Sequence, residues 1–233
     1  MKCLDLYSKI EPYLGFEEEI YFLHREFLRF IMIEEIDNIL DIGCGQGEFL
    51  ENLEINCKKS LGIDASLEQV KVCQEKGLNA ENIALKDIKD KFNCATAIFD
   101  VLNYIPKNEL KEFIAGVNEI LNKDGYFVFD INTYFGFDEV AQGSTVLDTK
   151  DKFIAIDANF DGNKLKTDLT LFEKVNDRFY TKQADTIIQE YHAKEFLEQI
   201  LKDCGFEVKN IKEFFLHTDD IADKLIFFCK KIK

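Results

Sequence analysis

Asn38-Ile39-Leu40-Asp41-Ile42-Gly43-Cys44-Gly45-Gln46-Gly47-Glu48-Phe49 is the stretch that decides the fold. A short apolar strand runs into three glycines at alternate positions, and a helical pattern follows through Glu54. Glycines there let the backbone turn tightly and let a ligand lie against bare main chain near a helix N-terminus. The spacing then says which ligand. A dinucleotide fingerprint, G-x-G-x-x-G, would need its third glycine at the position held by Glu48. A carboxylate beside a pyrophosphate is repulsive, so that reading is disfavoured. No Gly-Lys-Ser/Thr closes the turn, so a P-loop fails. The acid is tolerated by a cationic ligand that carries no phosphate.

Outward from the loop, strands alternate with helices. Upstream, Phe16 to Glu34 repeats Ile20, Leu23, Phe27, Phe30 and Ile31 at helical spacing, an amphipathic helix within an N-terminal cap over 1–35. Downstream, Ser60–Asp64, Asn82–Leu85, Cys94–Phe99 and Tyr126–Ile131 read as further strands, with helices over Ser66–Lys76 and Asn108–Leu121 and a turn at Asp124-Gly125. Such alternation predicts an α/β fold with a parallel sheet covered on both faces. The period then changes. Phe153–Phe160, an Asp161-Gly162 turn and Leu165–Phe172 form a hairpin pattern, and Phe179–Ile188 adds a third antiparallel strand. We assign 135–190 to a β-rich insertion, either a lid or a dimer element, within one domain over 1–233. A helix over Lys194–Asp203 and strands over Val208–Phe215 and Leu225–Cys229 complete the chain.

Charge narrows the partners. With 29 Lys and Arg against 44 Asp and Glu, the net charge is −15. That disfavours nucleic acid and anionic membrane surfaces, both of which need clustered cations. No apolar run approaches the roughly 20 residues of a membrane span, and the start has no signal-peptide core. Seven Cys lack zinc or redox spacing, which points to reduced thiols and a cytoplasmic protein, monomer or homodimer. No His/carboxylate cluster suggests a metal.

Asp41 and its loop match the D-x-G-x-G-x-G pattern of class I S-adenosylmethionine-dependent methyltransferases, and the resemblance continues in order. Gly62-Ile63-Asp64-Ala65-Ser66 resembles the second motif, Lys86-Asp87-Ile88 the adenine-contact motif, and Phe99-Asp100-Val101-Leu102-Asn103-Tyr104 the segment bordering donor and acceptor. Leu121 to Asp130 is similar to the turn and fifth strand of that family. Within it, Phe129 to Tyr134 and the insertion resemble glycine and amino-sugar N-methyltransferases. An Asn-Pro-Pro-Tyr motif for DNA or protein amino groups is absent. The resemblance implies a doubly wound, seven-stranded, mostly parallel sheet with S-adenosylmethionine as cofactor. It implies methyl transfer to N or O of a small soluble metabolite. An NAD-linked oxidoreductase and a non-catalytic partner subunit are the rivals.

Roles follow from the resemblance. Gly43, Gly45 and Gly47 give close backbone approach, with Cys44 the small variable residue between. Asp41 belongs to the loop motif, Asp64 holds the ribose hydroxyls beside Ala65, and Asp87 meets the adenine amino group. Ile88 and Phe99 sandwich the adenine or are plain core. Tyr7, Tyr13, Tyr21 and His24 lie in the cap, where similar families place a tyrosine near the donor; Tyr7 and Tyr21 are our candidates. For catalysis, Asp100 and Tyr134 lie at C-terminal strand ends, where ligands bind in open α/β sheets. His192, where the insertion returns, is the candidate general base.

Overall fold

The computed structural model describes residues 2–218 and 220–232; Met1, Asp219 and Lys233, which fall within the expected cap and domain limits, lie outside them. Strands β1 (Asn38–Ile42), β2 (Lys59–Ile63), β3 (Ala80–Glu81), β4 (Phe92–Ala97), β5 (Leu121–Asn132), β10 (Phe206–Phe214) and β11 (Lys224–Lys231) form one sheet. Its order is β3-β2-β1-β4-β5-β11-β10. The pairs among β1 to β5 are parallel, whereas β11 runs antiparallel to both β5 and β10.

Both faces are covered, which is why the strands read as apolar runs rather than alternations. Helices α2 (Glu17–Ile33), α3 (Glu48–Ile55) and α4 (Leu67–Glu75) cover one face with Leu23, Phe27, Phe49 and Val70. On the other, α5 (Leu110–Ile120) and α6 (Lys194–Asp203) bury Ile114, Val117, Leu197 and Leu201. Ser66 caps α4, its hydroxyl accepting the Gln69 N–H at 3.3 Å. The strand expected at Asn82–Leu85 forms two residues earlier, at Ala80–Glu81, where backbone pairing with Gly62 and Ile63 is available. The Asp124-Gly125 turn lies inside β5, with Asp124 at φ +62°, and across it the register to β4 passes from Leu121 opposite Phe92 to Tyr126 opposite Cys94.

Residues 135–190 form a second, four-stranded antiparallel sheet after a π-helical turn at Gly136–Ala141. Its strands are β6 (Gly143–Asp148), β7 (Lys152–Phe160), β8 (Lys164–Asn176) and β9 (Phe179–Glu190), one more than the sequence pattern indicates. The polar, exposed β6 gives no apolar alternation to read. An extra helix, α1 (Lys2–Ile10), packs Leu6 and Ile10 against Ile154, Leu169, Leu171 and Ile187 of this sheet. Across the same helix, Asp5 accepts the Ser66 hydroxyl at 2.5 Å, and the Ser8 carbonyl accepts from Gln46 Nε2 at 3.3 Å. So α1 ties the insertion to the glycine loop.

Candidate functional site

Sheet order reverses between β1 and β4, and the crevice opens at their C-terminal ends, the usual ligand position of such sheets. One rim is the glycine loop. Gly43, Gly45 and Gly47 all take left-handed φ, at +75°, +53° and +86°. A Cβ on Gly43 would lie 2.6 Å from Val101 Cγ2, and one on Gly47 would lie 2.5 Å from Leu78 Cδ1 and 2.9 Å from Cys73 Sγ. Packing excludes a side chain at both positions. A Cβ on Gly45 would meet nothing within 4 Å. Gly45 therefore presents bare main chain to a cavity of about 260 Å³, which Asp41, Cys44, Glu48 and Phe99 also line.

That cavity is acidic. Asp41 is buried, accepts the Thr96 hydroxyl at 2.7 Å, and is pushed up to about 7 by burial. Burial also raises Glu11 and Glu48, and Glu17 completes the carboxylates of the lining. On the same wall, burial lowers His24 to about 4 and so keeps it neutral. A phosphate would meet four carboxylates, whereas a ligand bearing ammonium and sulfonium charge would relieve their mutual repulsion. The residues present thus fit S-adenosylmethionine. Asp64 does not line this cavity but stands directly under the loop, its oxygens accepting the Gly45 N–H at 3.1 Å and the Ser66 N–H at 2.7 Å. Each oxygen keeps a second lone pair for a hydroxyl. Ala65 is exposed beside it. Asp87 is exposed on a 3-10 turn and Ile88 is core, and neither lines the cavity.

Phe99 and Phe16 also line a second cavity, of about 390 Å³, walled by β7, β8 and β9 of the insertion. Phe99 and Asp100 at the end of β4 are consecutive left-handed residues, at φ +67° and +56°. Two non-glycine residues hold that conformation only if something pins them. Asp130 does so, its carboxylate accepting the Phe99 N–H at 2.6 Å and the Asp100 N–H at 3.0 Å. Lys224 lies between Asp100 and Asp130, 3.0 Å from the latter, and 5.0 Å from the centre of the Phe99 ring. Burial alone would discharge this lysine, but Asp100 and Asp130 outweigh it and raise its pKa. Burial raises Asp130 as well, against the pull of Lys224. Gln189 donates to the other Asp100 oxygen at 2.6 Å. Tyr7 lines this cavity, and burial, with Glu11 and Asp100 nearby, raises its hydroxyl pKa.

Three expectations are corrected by placement. His192 is fully buried, and its Nε2 bonds the Leu102 and Ile105 carbonyls at 3.1 and 3.2 Å. It lines neither cavity, so its ring ties β9 to the segment after β4 instead of meeting an acceptor. Tyr21 is 62% exposed on the outer face of α2, edge-on to Phe22. Tyr134 is 48% exposed and packs on Phe160 and Tyr191 outside both cavities. Sequence reasoning passed over Lys224, Gln189, Glu19, His217 and Asp223, all in the second lining. One signal was present: two charges, Asp223-Lys224, directly precede the apolar run Leu225–Cys229.

The chain is similar to known methyltransferases in sequence family and in fold. The family model described as "Methyltransferase domain" matches residues 16–211. YqeM of Bacillus subtilis (strain 168), whose name carries the word methyltransferase and no acceptor, is 28% identical over 215 residues, covering 86% of this chain and 87% of that protein. A crystal structure of an S-adenosylmethionine-dependent methyltransferase from Clostridium acetobutylicum superposes with a TM-score of 0.81 at 19% identity, covering 97% of this chain and 99% of that one. CalS10 of Micromonospora echinaspora, an amino pentose methyltransferase solved with S-adenosylmethionine, reaches 0.71 at 14% identity, covering 97% and 96%.

Proposed function

The chain belongs to the methyltransferase-domain family, with S-adenosylmethionine as methyl donor, and on that premise we propose that it methylates N or O of a small, soluble acceptor. The observation that carries this reading is the junction of two cavities at Phe99 and Phe16: an acidic one at the glycine loop and a larger one under the insertion. Bound S-adenosylmethionine supplies an electrophilic methyl on a sulfonium. Gly45, Asp41 and Asp64 would hold it. Holding donor and acceptor collinear is itself a large part of such catalysis. The pinned Phe99-Asp100 turn fixes the wall between the two, and α1 packs on the insertion sheet beside it. The second cavity has room for a metabolite, and the −15 charge argues against a nucleic-acid acceptor.

Calorimetry tests the donor half. The protein should bind S-adenosylhomocysteine, bind NAD much more weakly, and lose at least tenfold in affinity on Asp64→Ala. Tighter NAD binding, or an unchanged Asp64→Ala, refutes it. Release of S-adenosylhomocysteine with a panel of small amines and alcohols tests the acceptor half. Turnover of tRNA in place of every small molecule refutes that half.

A further inference from the structure

The charges of the second cavity can be accounted for one at a time. Asp100 and Asp130 share Lys224, and with Gln189 and two backbone N–H groups each of their four oxygens has a donor. Asp223 is buried; its Oδ2 accepts the Leu216 and His217 N–H groups at 2.6 and 3.2 Å, and its Oδ1 meets His217 Nδ1 at 2.9 Å. Glu19, reaching in from α2, is different. Its Oε2 is buried with no hydrogen-bond partner. A buried carboxylate oxygen left unpaired is costly unless a cation or donor arrives to meet it.

His217 is the second unusual group. A carboxylate only accepts, so Nδ1 carries the hydrogen, and in the neutral imidazole Nε2 keeps a free lone pair. The Asp223 carboxylate cannot turn away, because two main-chain amides hold its other oxygen. The imidazole is half-exposed and lines the cavity. This is an oriented proton acceptor in the same space as an unmatched negative charge. Apolar walls from Leu14, Ile156, Leu165 and Leu169 surround both.

We propose that the acceptor is an alkyl amine bound as its ammonium ion on Glu19, and that His217, oriented by Asp223, takes the proton that must leave before methylation. The assignment rests on the methyl-transfer reading and adds the acceptor class and the base. An ammonium ion has no lone pair. One N–H bond breaks, the proton goes to His217 Nε2, and the freed pair forms the N–CH₃ bond. The methyl–sulfur bond breaks as that bond forms, and its electron pair stays on sulfur, giving the neutral thioether. The product is the methylated ammonium ion, and His217 returns its proton to solvent. Total charge is conserved: the sulfonium charge moves to the new ammonium, and the released proton carries the charge of the old one.

The full chain saturated with S-adenosylhomocysteine is titrated with cyclohexylammonium and, separately, with cyclohexanecarboxylate. Only the ammonium should bind, and Glu19→Gln should weaken it at least tenfold while leaving S-adenosylhomocysteine affinity within twofold. Equal binding of the carboxylate, or an unchanged Glu19→Gln, overturns the acceptor assignment. Absent S-adenosylhomocysteine binding in the wild-type protein overturns the methyl-transfer reading instead, so the two failures are distinct. Nitrogen-resolved spectra of the imidazoles at pH 8 test the base: His217 should show a protonated Nδ1 and a bare Nε2 that shifts when cyclohexylammonium is added. Asp223→Asn should abolish the single tautomer. A protonated Nε2, or an Nε2 signal blind to the ammonium, overturns the role.

Discussion

Replacing Asp41 by Asn should make the empty protein more stable and its cofactor site worse. Asp41 is fully buried and burial lifts it from an ordinary 3.8 to about 7. Folding is therefore opposed by its ionisation. The sign follows from linkage: between 3.8 and 7 the folded state holds a proton that the unfolded state has lost, so stability falls as pH rises through that window. At roughly 1.36 kcal/mol per unit, the full penalty above pH 7 is about 4 kcal/mol. Asn removes the charge but not the polarity, and its amide nitrogen gains no acceptor, so about half, roughly 2 kcal/mol, should survive. For a chain of this size that raises Tm by about 4–8 °C. Thermal unfolding of both proteins, without ligand, at pH 7.5 and pH 5 reads the effect. The gap should shrink by more than half at the lower pH, where little of the folded wild type is ionised. Affinity for S-adenosylmethionine should move the other way, falling in Asp41→Asn because an anion facing the donor's positive charge is gone. An Asn variant no more stable than wild type at pH 7.5, or a gap that ignores pH, would falsify the reasoning.

Gly47→Ala should lower denaturant stability by about 1–3 kcal/mol, since its Cβ would displace Leu78 and Cys73 at a left-handed φ, whereas Gly45→Ala should lose less stability and weaken S-adenosylhomocysteine binding in calorimetry. Lys224→Met should lower denaturant stability by about 3–5 kcal/mol, because two aspartates are left buried without their cation, and adding Asp130→Asn should restore part of it. His192→Ala should cost about 2 kcal/mol by stripping two carbonyls of their donor, with cofactor affinity unchanged. Because burial lowers the His192 pKa, its contribution is present above 6.5 and fades as pH falls below it, a slope the alanine variant should lack in acid titrations of stability.

The strand–glycine–helix unit was legible because its physics is local. A left-handed turn favours glycine, an amphipathic stripe fixes a helix, and a carboxylate at position 48 disfavours phosphate. Asp41, Gly45 and Phe99 could be placed at the crevice for the same reason: each lies within three residues of a strand end. The alternate spacing of Gly43, Gly45 and Gly47 did not say that two of them answer to Val101, Leu78 and Cys73 rather than to a ligand. Those neighbours arrive from other elements.

What the chain's order of residues determined by itself was the α/β alternation, the acidic glycine loop and the site's position at the C-terminal strand ends, all set by short-range periodicity and turn chemistry. What only tertiary structure decided was which titratable groups share a space. His192, the best base by position along the chain, is spent on the carbonyls of Leu102 and Ile105. His217, far along the chain, gains Asp223 and a cavity wall because β11 pairs antiparallel with β5 at the same sheet end. Lys224 finds Asp100 and Asp130 across more than ninety residues of chain. Electrostatic role depends on distance through space and on desolvation, and neither is encoded in the spacing of residues along the backbone.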